Sequence, residues 1–297
     1  MATEVEKNSE RLEEAKKKVA ILQFIAVENF LLTRIGSPLQ LLVAFFAACT
    51  TISVAFLLLD FSQGHWRPDG HDCSDPSTRK EWRYLGASEK HAYIDAIQCL
   101  SRRPSLFDGS SSRYDDFALA HVSEGLHIHY AAAFLPWHRH FIDTFERTLK
   151  KDCQYNGSLI YWDWSLDAED LTQSPMWDVA AFGSEGLGAS EEAVGNGRCV
   201  IDGPFANSTR YWQATLHGGS VDISRNPHCL SRGFETRPKK EELQERVSPA
   251  AVESILGQQA YADFFEELEN HVHNAIPQFI KGDFLLQTAP NGIGLFI

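Results

Sequence analysis

Five histidines, His121, His127, His129, His138 and His140, fall within the twenty residues "HVSEGLHIHYAAAFLPWHRH". Neutral imidazole is a favoured donor for borderline transition metals, so this density points to metal chemistry. A lone histidine would not; here the spacing carries the argument. His138 opens the most regular amphipathic stretch of the chain, "WHRHFIDTFERTLKKD", in which Phe141, Phe145 and Leu149 recur at i, i+4 and i+8. His129 lies upstream beyond "YAAAFLP". His121 belongs to the helix before it, where Tyr114, Phe117, Ala118 and His121 share one face. Three imidazoles from two helices and a joining loop can converge on one ion.

Other elements must hold these in place. "STRKEWRYLGASEKHAYIDAIQCLSRRPS" predicts two helices, the second capped by Ser88 and stopped before Pro104. Residues 183–234 are rich in Gly, Asn, Pro and Ser and read as irregular loop, held by a Cys199–Cys229 pair that flanks it. A last helical stretch, "SPAAVESILGQQAYADFFEELENHVHNAI", is predicted to break at Gly257. No repeat is visible.

The N-terminal part differs in kind. Residues 1–38 read as a helical tail, and residues 39–59 form an uncharged apolar run. Twenty-one residues at ~1.5 Å each span roughly 31 Å, the thickness of a bilayer core. Lys7, Arg11, Lys16, Lys17, Lys18 and Arg34 precede the run, whereas Asp60, Asp69, Asp72 and Asp75 follow it with Arg67. The positive-inside rule then predicts a single-pass protein with a cytoplasmic tail (1–38), an anchor (39–59), a linker (60–72) and a lumenal or extracellular domain (73–297). The sequons at Asn156 and Asn207 fall on that outer side. So do Cys73, Cys99, Cys153, Cys199 and Cys229, of which an oxidising compartment would pair four. The net charge of −13 argues against nucleic acid as a partner.

Read from His129 through Trp137-His138-Arg139 to Glu146, "H-x4-F-L-P-W-H-R-x6-E" resembles the first copper-site motif of the tyrosinase family, which includes tyrosinases, catechol oxidases and molluscan haemocyanins. Tyr161-Trp162-Asp163-Trp164 is similar to the family's "PYWDW", with Ile160 in place of Pro. "RKEWRYLGASEKHAYIDAIQCL" and "NPHCLSRGF" resemble fungal members in particular. The resemblance covers roughly residues 73–291. It implies a mainly α fold, a tyrosinase-like antiparallel helical bundle with long irregular loops, here preceded by the N-terminal transmembrane helix. It also implies copper as cofactor and the oxidation of phenols or o-diphenols by O2, in pigment or secondary-metabolite synthesis. A small phenol and O2 would be the partners.

Carried over residue by residue, the first copper would be held by His121, His129 and His138. His127 and His140 do not match, although His127 is the alternative if the first loop is shifted. Some members carry a thioether-forming cysteine two residues before the second ligand; His127 stands there. Phe134 and Trp137 would pack behind the ligands, and Arg139 and Glu146 would form an ion pair along the helix. For the second copper, His273 matches the first ligand. The family's next histidine falls at Pro277, which has no donor for a metal, and Gly292 stands where an aspartate is expected. One complete copper site is therefore expected, in a domain that is C-terminally incomplete. The alternative is a non-catalytic single-copper or metal-free binding domain.

Overall fold

A computed structural model describes residues 76–292, Gly219 excepted. The expected tail, anchor and linker lie outside the described residues, as do Cys49 and Cys73. Among the described residues no helix is long and apolar enough to cross a membrane.

Three helices build the first half: α1 (Ala87–Arg102), α2 (Asp115–Ile128) and α3 (Phe134–Cys153). α1 begins one residue before the expected Ser88 cap, because Glu89 reaches back to accept the Gly86 N–H at 2.8 Å. It ends ahead of Pro104, whose ring disfavours a helical residue before it. The predicted stripe of α3 is buried as expected, Phe145 and Leu149 completely. Phe117 of α2 meets Phe141 and Phe145 edge-on, with ring centroids 5.7 and 5.0 Å apart. A disulfide from Cys99 to Cys153 ties α1 to the end of α3.

The helix expected ahead of α1 is a correction. Only a 3-10 turn forms, over Trp82–Tyr84. The backbone there is engaged elsewhere: Trp82 N–H donates to the Tyr161 carbonyl at 2.9 Å, and Tyr161 N–H to the Lys80 carbonyl at 3.1 Å. That short extended pairing takes the donors and acceptors a helix would need.

The expected Cys199–Cys229 disulfide is present, but residues 183–234 are not all irregular. An antiparallel hairpin of β2 (Thr209–His217) and β3 (Ser220–Cys229) turns after His217 at Gly218, whose φ is +56°. Glycine adopts that left-handed backbone without steric penalty. The short strands β1 (Arg198–Cys199) and β4 (Ser231–Arg232) also pair. Buried Arg232 pins the loop before them, donating to the carbonyls of Gly183 at 2.7 Å and Ser184 at 2.8 Å.

The second half carries α4 (Lys239–Arg246), α5 (Pro249–Leu256), α6 (Tyr261–Leu268) and α7 (Asn274–Ile280). α4 was not expected: every position but Leu243 and Gln244 is charged, and only those two are buried, so it shows no apolar stripe. The predicted break at Gly257 separates α5 from α6. Between α6 and α7 lies a π-turn, Glu269–His273.

Candidate metal centre

His121 projects from α2, His129 ends that helix, and His138 sits in the second turn of α3. One ring nitrogen from each lies within 4.8 Å of the others, and this is the one such metal-capable group among the described residues. His121 Nε2 and His138 Nε2 are 3.4 Å apart. The Nδ1 atoms face backbone carbonyls: Gln287 for His121 at 3.0 Å, Gly125 for His129 at 3.0 Å, and Phe134 for His138 at 2.7 Å. A carbonyl only accepts, so each Nδ1 carries the proton and each Nε2 keeps its lone pair. Histidines that bind metals are commonly oriented this way.

The surroundings keep the His121 and His138 rings neutral. Burial pushes His121 down to about 3, assisted by the neighbouring imidazole His129. Burial likewise takes His138 down to about 4. No proton then competes for the lone pairs at neutral pH. Three imidazole nitrogen donors suit a borderline ion such as copper. Phe134 and Trp137 pack against the His138 ring as expected, at centroid distances of 4.7 and 5.1 Å. His127 and His140 are exposed and stand outside the group.

The expected Arg139–Glu146 ion pair does not form. Glu146 pairs instead with Lys150 at 2.7 Å and Arg79 at 3.6 Å. The seven-residue separation puts Arg139 two turns away, whereas Lys150 is at the favoured i+4 position. Arg139 lies exposed at the rim of a cavity of about 490 Å³. His121, His138, His273, Phe134 and Val272 also line it, so the imidazoles open onto a largely apolar space.

His273, at the end of the π-turn, has its ring 5.7 Å from His129 and 6.1 Å from His138, and meets Phe134 edge-on at 5.0 Å. Burial pushes it down to about 4. Pro277 lies inside α7, and His271 is exposed and paired with Glu267 at 3.1 Å. The described residues therefore fit one metal position but bring a single imidazole, His273, to a second.

Three residues that spacing alone did not single out, Tyr130, Glu269 and Asn274, brace the segment beside His129. Tyr130, next to His129, has φ +52°. Its N–H donates to both carboxylate oxygens of buried Glu269, at 2.9 and 2.8 Å. Asn274 Nδ2 donates to the Tyr130 hydroxyl at 3.2 Å. These partners are more than a hundred residues apart, so no local pattern marks them.

Residues 111–292, more than half of the chain, match the family described as the common central domain of tyrosinase. The tyrosinase-like protein phomQ1 of Diaporthe leptostromiformis is 49% identical over 224 residues, covering 74% of this chain and 58% of the relative. Tyrosinase ustQ of Aspergillus flavus is 38% identical over 74% of this chain and 60% of its own length. The N-acetyl-6-hydroxytryptophan oxidase ivoB of Emericella nidulans is 30% identical, covering 82% of this chain and 71% of that protein. Among solved structures, a polyphenol oxidase variant from Thermothelomyces thermophila superposes with a TM-score of 0.62 at 27% identity, over 73% of this chain and 65% of that one. The chain thus spans about three fifths of the length of the phomQ1 and ustQ relatives. From the histidine triad, the helices that present it and these matches, the chain belongs to the tyrosinase family.

Proposed function

We propose that this protein is a tyrosinase-type copper oxidoreductase that oxidises a small phenol or o-diphenol with O2, in pigment or secondary-metabolite synthesis. The observation that carries the reading is the convergence of His121, His129 and His138, each with its Nδ1 tied to a backbone carbonyl. These three would hold copper through Nε2, and His273 would contribute to a second position. Copper bound there supplies the redox chemistry with O2; the protein supplies geometry and a dry, shaped pocket. Phe134 and Val272 keep water from the imidazoles, and the adjoining cavity has room for a single aromatic ring. The ivoB relative, by its name an oxidase of a hydroxylated aromatic compound, supports a phenolic substrate.

Pro277 favours a second reading, a single-metal domain that binds without turnover. The experiment that separates them loads the full chain with copper, counts metal per chain, and follows oxygen uptake with a catechol. Two coppers and turnover support the first reading; one copper and no uptake support the second. Copper content unaffected by His138→Ala overturns both.

The location is read from sequence. Residues 39–59 would anchor the chain with the copper domain on the lumenal or extracellular side. Support comes from the charge bias around that run and from the exposure of both sequon asparagines, Asn156 and Asn207.

A further inference from the structure

The cavity beside the triad is largely apolar, yet two arginines, Arg79 and Arg139, line it. Among the described residues no Asp or Glu does. The chain as a whole carries a net charge of −13, so this local excess of positive charge runs against its composition. Guanidinium stays protonated at any working pH, which makes the excess permanent.

We propose that the cavity selects a phenol that also carries a carboxylate on a short side chain. Arg139 recognises that carboxylate, and Arg79 is a second, outer contact. The proposal deepens the reading of the cavity as the phenol site and rests on it.

Three observations carry it. The first is position. His138 and Arg139 are consecutive in α3, with Cα atoms about 3.8 Å apart, and both line the cavity. Arg79 lies 3.6 Å from Glu146, seven residues further along the same helix. At ~1.5 Å per residue that is roughly 10 Å beyond Arg139. Ile142 lines the cavity between them. The two guanidiniums therefore bracket an apolar strip of α3 whose inner end is a triad histidine. A phenol lying on that strip with its hydroxyl toward the imidazoles turns its ring substituent outward to the arginines.

The second is charge. Glu146 pairs more closely with Lys150, at 2.7 Å, than with Arg79, so these three side chains together remain singly positive. Buried Glu269 turns both oxygens to the Tyr130 N–H and does not line the cavity. More distant carboxylates are screened over about 8–10 Å at ordinary salt. The rim arginines act at contact range beside apolar walls, which focus their field. Locally, the arginines outweigh the net charge.

The third is fit. A guanidinium fork meets a carboxylate in two parallel hydrogen bonds. An ester at the same place gains little, and an ammonium is repelled. A volume of about 490 Å³ holds one ring and a short chain.

The test measures binding by calorimetry, so it does not depend on turnover. The full chain, metal-free and copper-loaded, is titrated with para-hydroxyphenylpropionate, its methyl ester and tyramine. Wild type, Arg139→Gln, Arg139→Glu and Arg79→Gln are compared, with circular dichroism of each to confirm folding. The expected result is that wild type binds the acid about tenfold more tightly than the ester, and tyramine most weakly. Arg139→Gln should bring acid and ester together, Arg139→Glu should reverse the order in favour of tyramine, and Arg79→Gln should reduce the preference less. A preference seen only with copper loaded would assign it to the metal and overturn the proposal, as would an unchanged preference in Arg139→Glu. Equal binding of all three ligands to wild type sinks this inference and leaves the phenol site standing. If none of the three binds, the phenol-site reading falls and takes the proposal with it.

Discussion

Glu269 holds Tyr130 by its backbone: the N–H of a residue at φ +52° points between the two carboxylate oxygens, at 2.9 and 2.8 Å. A left-handed conformation costs a non-glycine residue roughly 1–2 kcal/mol. It persists where surrounding contacts enforce it. Here the contact is a buried charge four residues ahead of His273, acting on the residue after His129. The carboxylate therefore fixes the second ligand of the triad relative to the C-terminal helices.

This predicts that Glu269→Ala weakens copper binding by roughly tenfold, in the range seen when an outer partner of a ligand is lost. Glu269→Gln keeps one acceptor oxygen and should recover part of the loss. In a Tyr130→Gly background, where positive φ is unstrained, the Glu269→Ala effect should shrink. Chelator competition measures all three. Equal losses with and without Tyr130→Gly would show that the carboxylate acts by another route.

A second buried pair predicts a pH dependence of stability. His228 Nε2 lies 2.8 Å from Asp283 Oδ1, and Asp283 Oδ2 accepts the Ser231 N–H at 2.7 Å. Burial opposes charge on His228, but the hydrogen bond and charge of Asp283 outweigh it and raise the pKa. A raised folded-state value contributes stability that is complete below the unfolded histidine value, about 6.5, and is lost as pH rises through the folded value. His228→Gln should therefore cost roughly 2–4 kcal/mol at pH 6, less at alkaline pH. Chemical denaturation across pH 6–9 measures it; a deficit that grows with pH would reverse the sign.

The elements readable in the sequence were those whose information is local. The stripe of Phe141, Phe145 and Leu149, the break at Gly257 and the triad spacing all depend on residues within a few turns of one another. Where long-range pairing decides, spacing misled. Trp82–Tyr84 stops after one turn because Tyr161 claims its backbone. Glu146 turns from Arg139 to Arg79 and Lys150. The β2–β3 hairpin did carry a local signal, "TRYWQATLHGGSVDIS", whose β-branched and aromatic residues flank Gly-Gly. Composition bias across residues 183–234 hid it.

The topology read from residues 39–59 makes its own prediction. Asn156 and Asn207 are both exposed, so oligosaccharide transfer meets no steric bar at either. Expressed in a eukaryotic host, the full chain should remain in the membrane fraction after carbonate washing. Its gel mobility should increase on glycosidase treatment, in two steps removed singly by Asn156→Gln and Asn207→Gln. Carbonate-extractable protein without glycan would contradict the anchor and its orientation.

The triad makes the most direct prediction about the site, because five histidines lie close in sequence and only three share a centre. His121, His129 and His138 each present Nε2 inward with Nδ1 fixed behind; His127 and His140 are exposed. Removing one of three convergent donors leaves a site too weak to hold metal through dialysis, whereas removing an exposed imidazole leaves the shell intact. His129→Ala and His138→Ala should thus lose most of the bound copper, measured as metal per chain after dialysis. His127→Ala and His140→Ala should retain it. The buried position of His121, with its ring against Trp137 and Phe141, makes His121→Ala costly to stability as well. Retention is therefore read in that variant only after its unfolding curve shows it folded at the assay temperature. Equal loss from an exposed and an inward-facing histidine would mean that the metal is held somewhere other than between α2 and α3.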